Sequence, residues 1–193
     1  GFDNAGYTAD QVKASKIVGH AAVVEQENAF GRVFLRMKVA KDNGADLEPL
    51  QAAEFGAFKT WFDTTRRDAG VKVEYVNQPA DELKQKWTVF YDPLILSATG
   101  ARLDGSDNTP VQNAIKRYLR SLPFAGVYAP AYHIDEVQAV PGVVLPQLRS
   151  CSARYGGLPF TPVNDVYTPD AGYLRFSSDA DLEIEFIAQN PIR

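Results

Sequence analysis

Arg32-Val-Phe-Leu-Arg-Met-Lys-Val39 alternates, with Val33, Leu35, Met37 and Val39 on one face and Arg32, Phe34, Arg36 and Lys38 on the other. Strict alternation is the signature of a half-buried strand. Shortly after it the period changes. Pro49 fits the first turn of a helix, where a missing N–H costs nothing. Leu50, Ala53, Ala57 and Trp61 then recur along one stripe, with Phe58 and Phe62 beside it. Gly70 is placed to cap the C-terminus. Upstream, Ile17 to Glu25 is mostly apolar and β-branched, and Asn28-Ala-Phe-Gly31 is short enough to join the two strands as a hairpin. Downstream, Val71-Lys-Val-Glu-Tyr-Val76 alternates again, and Leu83 to Tyr91 sets Leu83, Gln85, Trp87, Val89 and Tyr91 on one face. A lone helix and two hairpins bury an apolar face only if the helix lies across one antiparallel sheet. The expectation for 17–98 is therefore a ββαββ α+β sandwich of ferredoxin-like character, preceded by a lead-in over 1–16.

Composition shifts after this segment. Eight of the nine lysines precede residue 100, whereas nine of the twelve prolines lie at or after Pro110, which argues for two small units. The turn-forming stretch 99–108 reads as the linker between them. The second unit, 109–193, opens with the clearest helix in the chain. Thr109 is an N-cap candidate and Pro110 fits N1. Val111, Ala114, Ile115, Tyr118, Leu119 and Leu122 then follow at helical spacing until Pro123. Tyr132 to Val140 reads as a second short helix, and Val143 to Tyr155 as a strand interrupted by Pro146. Gly156 to Gly172 holds three glycines and three prolines and reads as an extended arm. Apolar Phe160, Val163, Val166 and Tyr167 in such a segment predict either low order or packing on a neighbouring copy. Tyr173 to Phe176 and Leu182 to Ala188 read as a closing hairpin with Leu182, Ile184 and Phe186 inward. The second unit is thus expected to be α+β, with helices on a short mixed or antiparallel sheet.

Several function classes are disfavoured by composition. With 45% hydrophobic and 23% charged residues the chain is of ordinary globular type. A net charge of -4 disfavours nucleic acid as a partner. No apolar run approaches the ~20 residues that cross a bilayer, so no membrane partner is expected. Cys151 is alone and cannot form an intramolecular disulfide, and two histidines, His20 and His133, leave little for a zinc site, so no metal or cofactor is expected. The opening Gly1-Phe2-Asp3-Asn4 shows no signal peptide and lacks the initiator methionine, as expected of a trimmed or excised chain.

Among candidate chemistries, the sharpest is a nucleotidyltransferase-like pairing of Gly105-Ser106 with Asp181-Leu-Glu183, whose carboxylates would hold magnesium. The separation is too long for that motif, and Asp181, Glu183 and Glu185 read more simply as the wet face of a strand. Asp104-Gly-Ser-Asp-Asn108 lacks the order of an EF-hand loop and reads as a turn with a helix cap. His133 with Asp135 could be half of a catalytic pair, but no nucleophile elbow exists for it to serve, and a solvated or capping histidine is favoured. Cys151 reads as a buried inert thiol. Arg66-Arg67 complements a helix C-terminus. What remains is interfacial. Tyr128, Tyr155, Phe160 and Tyr167 in Pro/Gly-rich stretches, with Arg154 nearby, carry the residue types enriched at protein contacts, and the same rings are equally suited to covering the core of the small second unit.

Ordered segments along most of the chain carry a resemblance. They are Ser15-Lys-Ile-Val18, Gly31 to Ala40, Glu48-Pro-Leu50, Asp68 to Val73, Pro79 to Leu83 and Phe90 to Leu94. Thr109 to Leu119, Leu122 to Gly126, Val137 to Val143 and Ala171-Gly-Tyr-Leu174 complete the series. Together they resemble the baseplate J-like proteins of contractile phage tails, in the version carried by phages and prophages of Bacteroidetes. Each segment is a packing or turn signature, and the specificity lies in their order. The resemblance implies the C-terminal portion of a baseplate wedge subunit in a virion tail, assembled in the bacterial cytoplasm. Such a protein is not an enzyme. It holds other tail proteins, or a second copy of itself in a homo-oligomer, and has no shared catalytic residues. The rival readings are the magnesium-dependent transferase and a small bacterial binding module.

Overall fold

A computed structural model describes residues 5–14 and 16–189. The chain is α+β and divides into two units, Gly1–Pro79 and Ala80–Arg193. Of the lead-in, 1–4 and Ser15 lie outside the described residues, and α1 (Ala9–Ala14) is a short helix. The first unit continues through β1 (His20–Glu27), β2 (Val33–Asp42), β3 (Leu47–Glu48), α2 (Ala52–Thr65) and β4 (Val73–Val76). β1 and β2 form the expected antiparallel hairpin, in unbroken register from His20↔Ala40 to Glu27↔Val33. Gly31 supplies the positive φ of its turn, +73°, and the Asn28 side chain accepts the Phe30 and Arg32 amides. β4 returns parallel to β2, as the crossover through α2 requires. Met37, Val39 and Leu50 form the core, with Phe55, Phe58 and Phe62 of α2 packed against it. Those three rings meet Tyr75 edge-on at centroid separations of 6.1–6.4 Å. Pro49 lies ahead of α2 and not in its first turn. Gln51 occupies the N-cap, and Glu54 Oε2 accepts its amide at 3.0 Å.

The second unit contains β5 (Asp81–Tyr91), α3 (Pro110–Ser121), α4 (Pro130–Gln138), β6 (Val143–Arg154), β7 (Thr161–Pro162), β8 (Leu174–Arg175) and β9 (Leu182–Ala188). Its mixed sheet is built around β5, which runs antiparallel to β6 and parallel to β8 and β9. The ββαββ expectation is therefore corrected, because its last strand belongs to the other unit. The alternation within β5 was legible, but alternation does not say which sheet a strand joins. Its inward residues Leu83, Trp87 and Val89 are fully buried, and that burial takes the apolar faces of α3 and α4. The first unit is accordingly ββαβ in outline, with the two-residue β3 inserted.

The linker expectation for 99–108 fails for the same reason. That stretch lies within the second unit and is closed by the Leu96↔Arg102 bridge. At Gly100, φ is +81° and a Cβ would stand 2.1 Å from Phe186 Cζ, so only glycine fits where β9 packs. Thr109 takes the N-cap position of α3 without a side-chain capping bond, and Asp107 Oδ1 accepts the Thr109 amide at 2.8 Å in the turn that leads into the helix. Five of the six residues on the expected stripe, Val111, Ala114, Ile115, Tyr118 and Leu119, are buried, and the sixth, Leu122, lies beyond the helix. Pro146 does not interrupt β6. It pairs with Val89 at a place where β7, which reaches only Ser152 and Ala153, leaves β6 as the edge strand. Bulges at Lys86/Trp87 and Phe90/Tyr91 keep Leu148, Val143 and Cys151 on the helix side of that strand. The closing hairpin is also corrected, since β8 and β9 do not pair with each other and lie in succession along β5. Leu182, Ile184 and Phe186 do pack inward.

Candidate functional site

The chemistry-bearing side chains of the second unit gather in two clusters under its helices and arm. The first joins Gln85 and Trp87 of β5, Tyr128, His133 of α4 and Cys151 of β6. Trp87 Nε1 donates to Gln85 Oε1 at 3.0 Å, and Gln85 Nε2 donates to Tyr128 Oη at 2.7 Å. Tyr128 Oη and Gln85 Nε2 lie 3.0 and 3.2 Å from His133 Nδ1. Cys151 Sγ lies 3.7 Å from Tyr128 Oη and 3.8 Å from Gln85 Nε2. The imidazole stacks on Tyr118 at 4.6 Å and meets Trp87 edge-on at 5.4 Å.

His133 and Tyr128 are fully buried. The expectation of a solvated or capping histidine is corrected, because α4 begins at Pro130 and turns His133 inward beside Val137. Burial pushes its pKa down to about 3, opposed only by the nearby Ile115 backbone, which does not reach hydrogen-bond geometry with the otherwise unpartnered Nε2. Burial likewise pushes the Tyr128 hydroxyl and the Cys151 thiol up. A neutral histidine, a protonated phenol and a protonated thiol in a dry site form a packed polar network, which fixes the seating of α4 on the sheet. Cys151 is the buried thiol the sequence suggested.

The second cluster holds the arm. Asp81 is fully buried at the start of β5. Its carboxylate accepts from Tyr167 Oη at 2.5 Å and from the amides of Asp170 and Ala171, both at 2.9 Å. Desolvation raises its pKa, and these three donors work against that rise. Tyr128 and Tyr167 exchange backbone hydrogen bonds at 2.8 Å, and the Val163 amide donates to the Cys151 carbonyl at 2.9 Å. Val163, Ala171 and Leu174 are buried. The expectation of a loose or intermolecular arm is thus corrected. A buried carboxylate and the open edge of β6 both need donors, and the arm supplies them.

The interfacial residues are redistributed accordingly. Tyr128 is core and cannot face a partner. Tyr167 is half-buried on Asp81. Phe160 is half-buried between Lys84 Nζ and Arg154 Cζ, each 4.6 Å from its ring centroid. Arg154 also donates to Glu82 Oε2 through Nε and Nη2, at 3.1 and 2.7 Å. Tyr155 is half-buried. Truncating Phe160 and Tyr167 together to alanine is now expected to lower the stability of the isolated chain by several kcal/mol, read by urea denaturation. Loss of under ~0.5 kcal/mol would return the arm to an assembly role.

The remaining candidates stay local. Glu183 and Glu185 are exposed on β9, and Lys86 pairs with Glu183 at 2.9 Å. Asp181 is capped by Ser177 and Ser178 and meets Lys84 Nζ at 3.3 Å. Asp104 accepts from Arg102 and from Ser106, closing the turn that Gly105-Ser106 belongs to. Asp135 is exposed and does not bond to His133. Arg67 pairs with Asp63 at 3.0 Å, and Arg66 lies over Trp61. Among the described residues, no three of His, Cys, Asp and Glu converge as a metal site. Asp81 escaped the sequence reading. Its one signal was its position opening the alternating face of β5, where an apolar residue would be expected. Among the described residues no helix is long and apolar enough to cross a membrane. No family model matches the chain, and no curated protein matches it.

Proposed function

We propose that the chain is a structural subunit of a phage tail baseplate or a related injection particle, acting through protein–protein contacts. The ordered series of packing and turn segments from Gly31 to Leu174 supports the particle. One structural observation carries the contact role. Large apolar side chains are left on the surface, among them Val23, Val24, Phe30 and Val33 of the β1–β2 hairpin, Phe30 by 88%. The His133–Tyr128–Cys151 and Asp81–Tyr167 clusters are meanwhile turned inward as hydrogen-bonded packing. Tail particles purified from a producing strain should carry this chain at a fixed ratio to the sheath protein. Its recovery only in the particle-free fraction would contradict the proposal.

A further inference from the structure

We infer that the free edge of β1 is a docking edge for a second copy of this chain, the two β1 strands pairing antiparallel about a two-fold axis at Val23. The inference rests on the geometry of the edge and does not require the particle reading. Among the described residues β1 pairs with β2 alone. The Asn28 amide bonds to the Arg32 carbonyl at 3.0 Å, one rung beyond the register of the two strands. Antiparallel rungs alternate, so Ala22, Val24 and Gln26 turn their N–H and C=O groups toward β2. Ala21, Val23, Glu25 and Glu27 turn theirs outward.

That edge is long and, among the described residues, exposed. β1 runs eight residues, His20–Glu27, without a bulge in its register against β2. It contains no lysine and no proline, two of the devices that blunt exposed edges, and its two charges, Glu25 and Glu27, stand at one end. Val23 is 52% and Val24 42% exposed, although both stand beside the well-buried β2. An unpaired row of backbone donors and acceptors flanked by valines is complementary to one kind of object, another extended strand.

The side chains select the second copy. A two-fold axis perpendicular to a sheet pairs residues of the same face, so it must pass through a residue and not between two. Through Val23, whose N–H and C=O point outward, the axis sets Ala21 opposite Glu25 of the second copy and Ala22 opposite its Val24. Each Glu25 then faces a small neutral residue, and no carboxylate faces another. The valines and alanines meet around the axis, and the two sheets become one. A strand pair of this length is a small interface, so the dimer should be weak, with a dissociation constant on the order of micromolar or above.

Sedimentation velocity of the full chain up to about 500 μM tests this. The wild-type chain should sediment increasingly as a dimer. Val23→Pro removes the outward N–H at the axis and leaves the β2-facing groups intact, so it should weaken dimerisation at least about tenfold. Val23→Lys sets two ammonium groups against each other at an exposed position and should do the same while keeping the fold, should the proline variant fail to refold. A wild-type chain that stays monomeric at the highest concentration overturns the inference. So does a Val23→Lys chain of native circular dichroism that dimerises as the wild type does, since the contact would then lie elsewhere. Neither outcome touches the particle test above, which scores the presence of the chain and not its self-pairing.

Discussion

Trp87→Ala is expected to destabilise the chain by about 3–5 kcal/mol, among the largest effects of any single truncation. Trp87 is fully buried in the middle of β5, packs with Val111, Ala114, Ile115 and Val137 of the two helices, and anchors the polar cluster through Gln85. Removing the indole opens a cavity and also leaves Gln85 Oε1 without its donor, so transfer, cavity and hydrogen-bond terms add. Guanidinium denaturation followed by circular dichroism reads the effect. A loss below ~1 kcal/mol would mean that β5 is not the central strand of the second unit.

Stability is expected to fall steeply on mild acidification because of His133. Its pKa is 6.5 in the unfolded chain and about 3 in the folded one. Between those values the unfolded state binds the extra proton, so stability rises with pH across the window. The histidine's contribution is complete above pH 6.5 and is lost progressively as pH falls toward 3. Each pH unit costs about 1.4 kcal/mol, or roughly 2 kcal/mol between pH 6.5 and 5. Among the described residues the groups facing the imidazole are Tyr118, Tyr128, Gln85, Trp87 and the Ile115 backbone, with no carboxylate among them to stabilise an imidazolium. Asp81 acts in the opposite sense, because its raised pKa favours folding as pH falls. The difference between wild type and His133→Asn isolates the histidine. The variant should start less stable at pH 7.5 and show a flatter slope between pH 6.5 and 5. Equal slopes would show that the imidazole is not held neutral.

The sequence conveyed elements better than their assignment. Periodicity placed β2, β5, α3 and the inward face of β9, since each carries its apolar residues at the spacing of its own geometry. It could not place the unit boundary. β5 alternates identically whether it closes the first sheet or centres the second, and only the pairing with β6 and β9 decides. The glycine-rich stretch around Gly100 looks like a linker because a turn and a linker share the same residues. Its close packing on Phe186 is a tertiary fact. The candidate site was least legible. Tyr128 and Tyr167 were visible as aromatic residues in irregular chain, but their partners Gln85 and Asp81 lie on a distant strand, 43 and 86 residues away in sequence. A polar residue on the buried face of a strand was the available clue, and Gln85 showed it.

The arm from Gly156 to Gly172 is the hinge of the account, because its attachment turns an assembly segment into a part of the second unit. Amide hydrogen exchange at Asp170 and Ala171 tests that most directly, since both amides donate to the buried Asp81 carboxylate. In the wild-type chain they should exchange as slowly as the amides at the centre of β5, and Asp81→Ala should bring both toward the rate of a free peptide. Wild-type amides that already exchange at the free-peptide rate would contradict the account and return the arm to a partner.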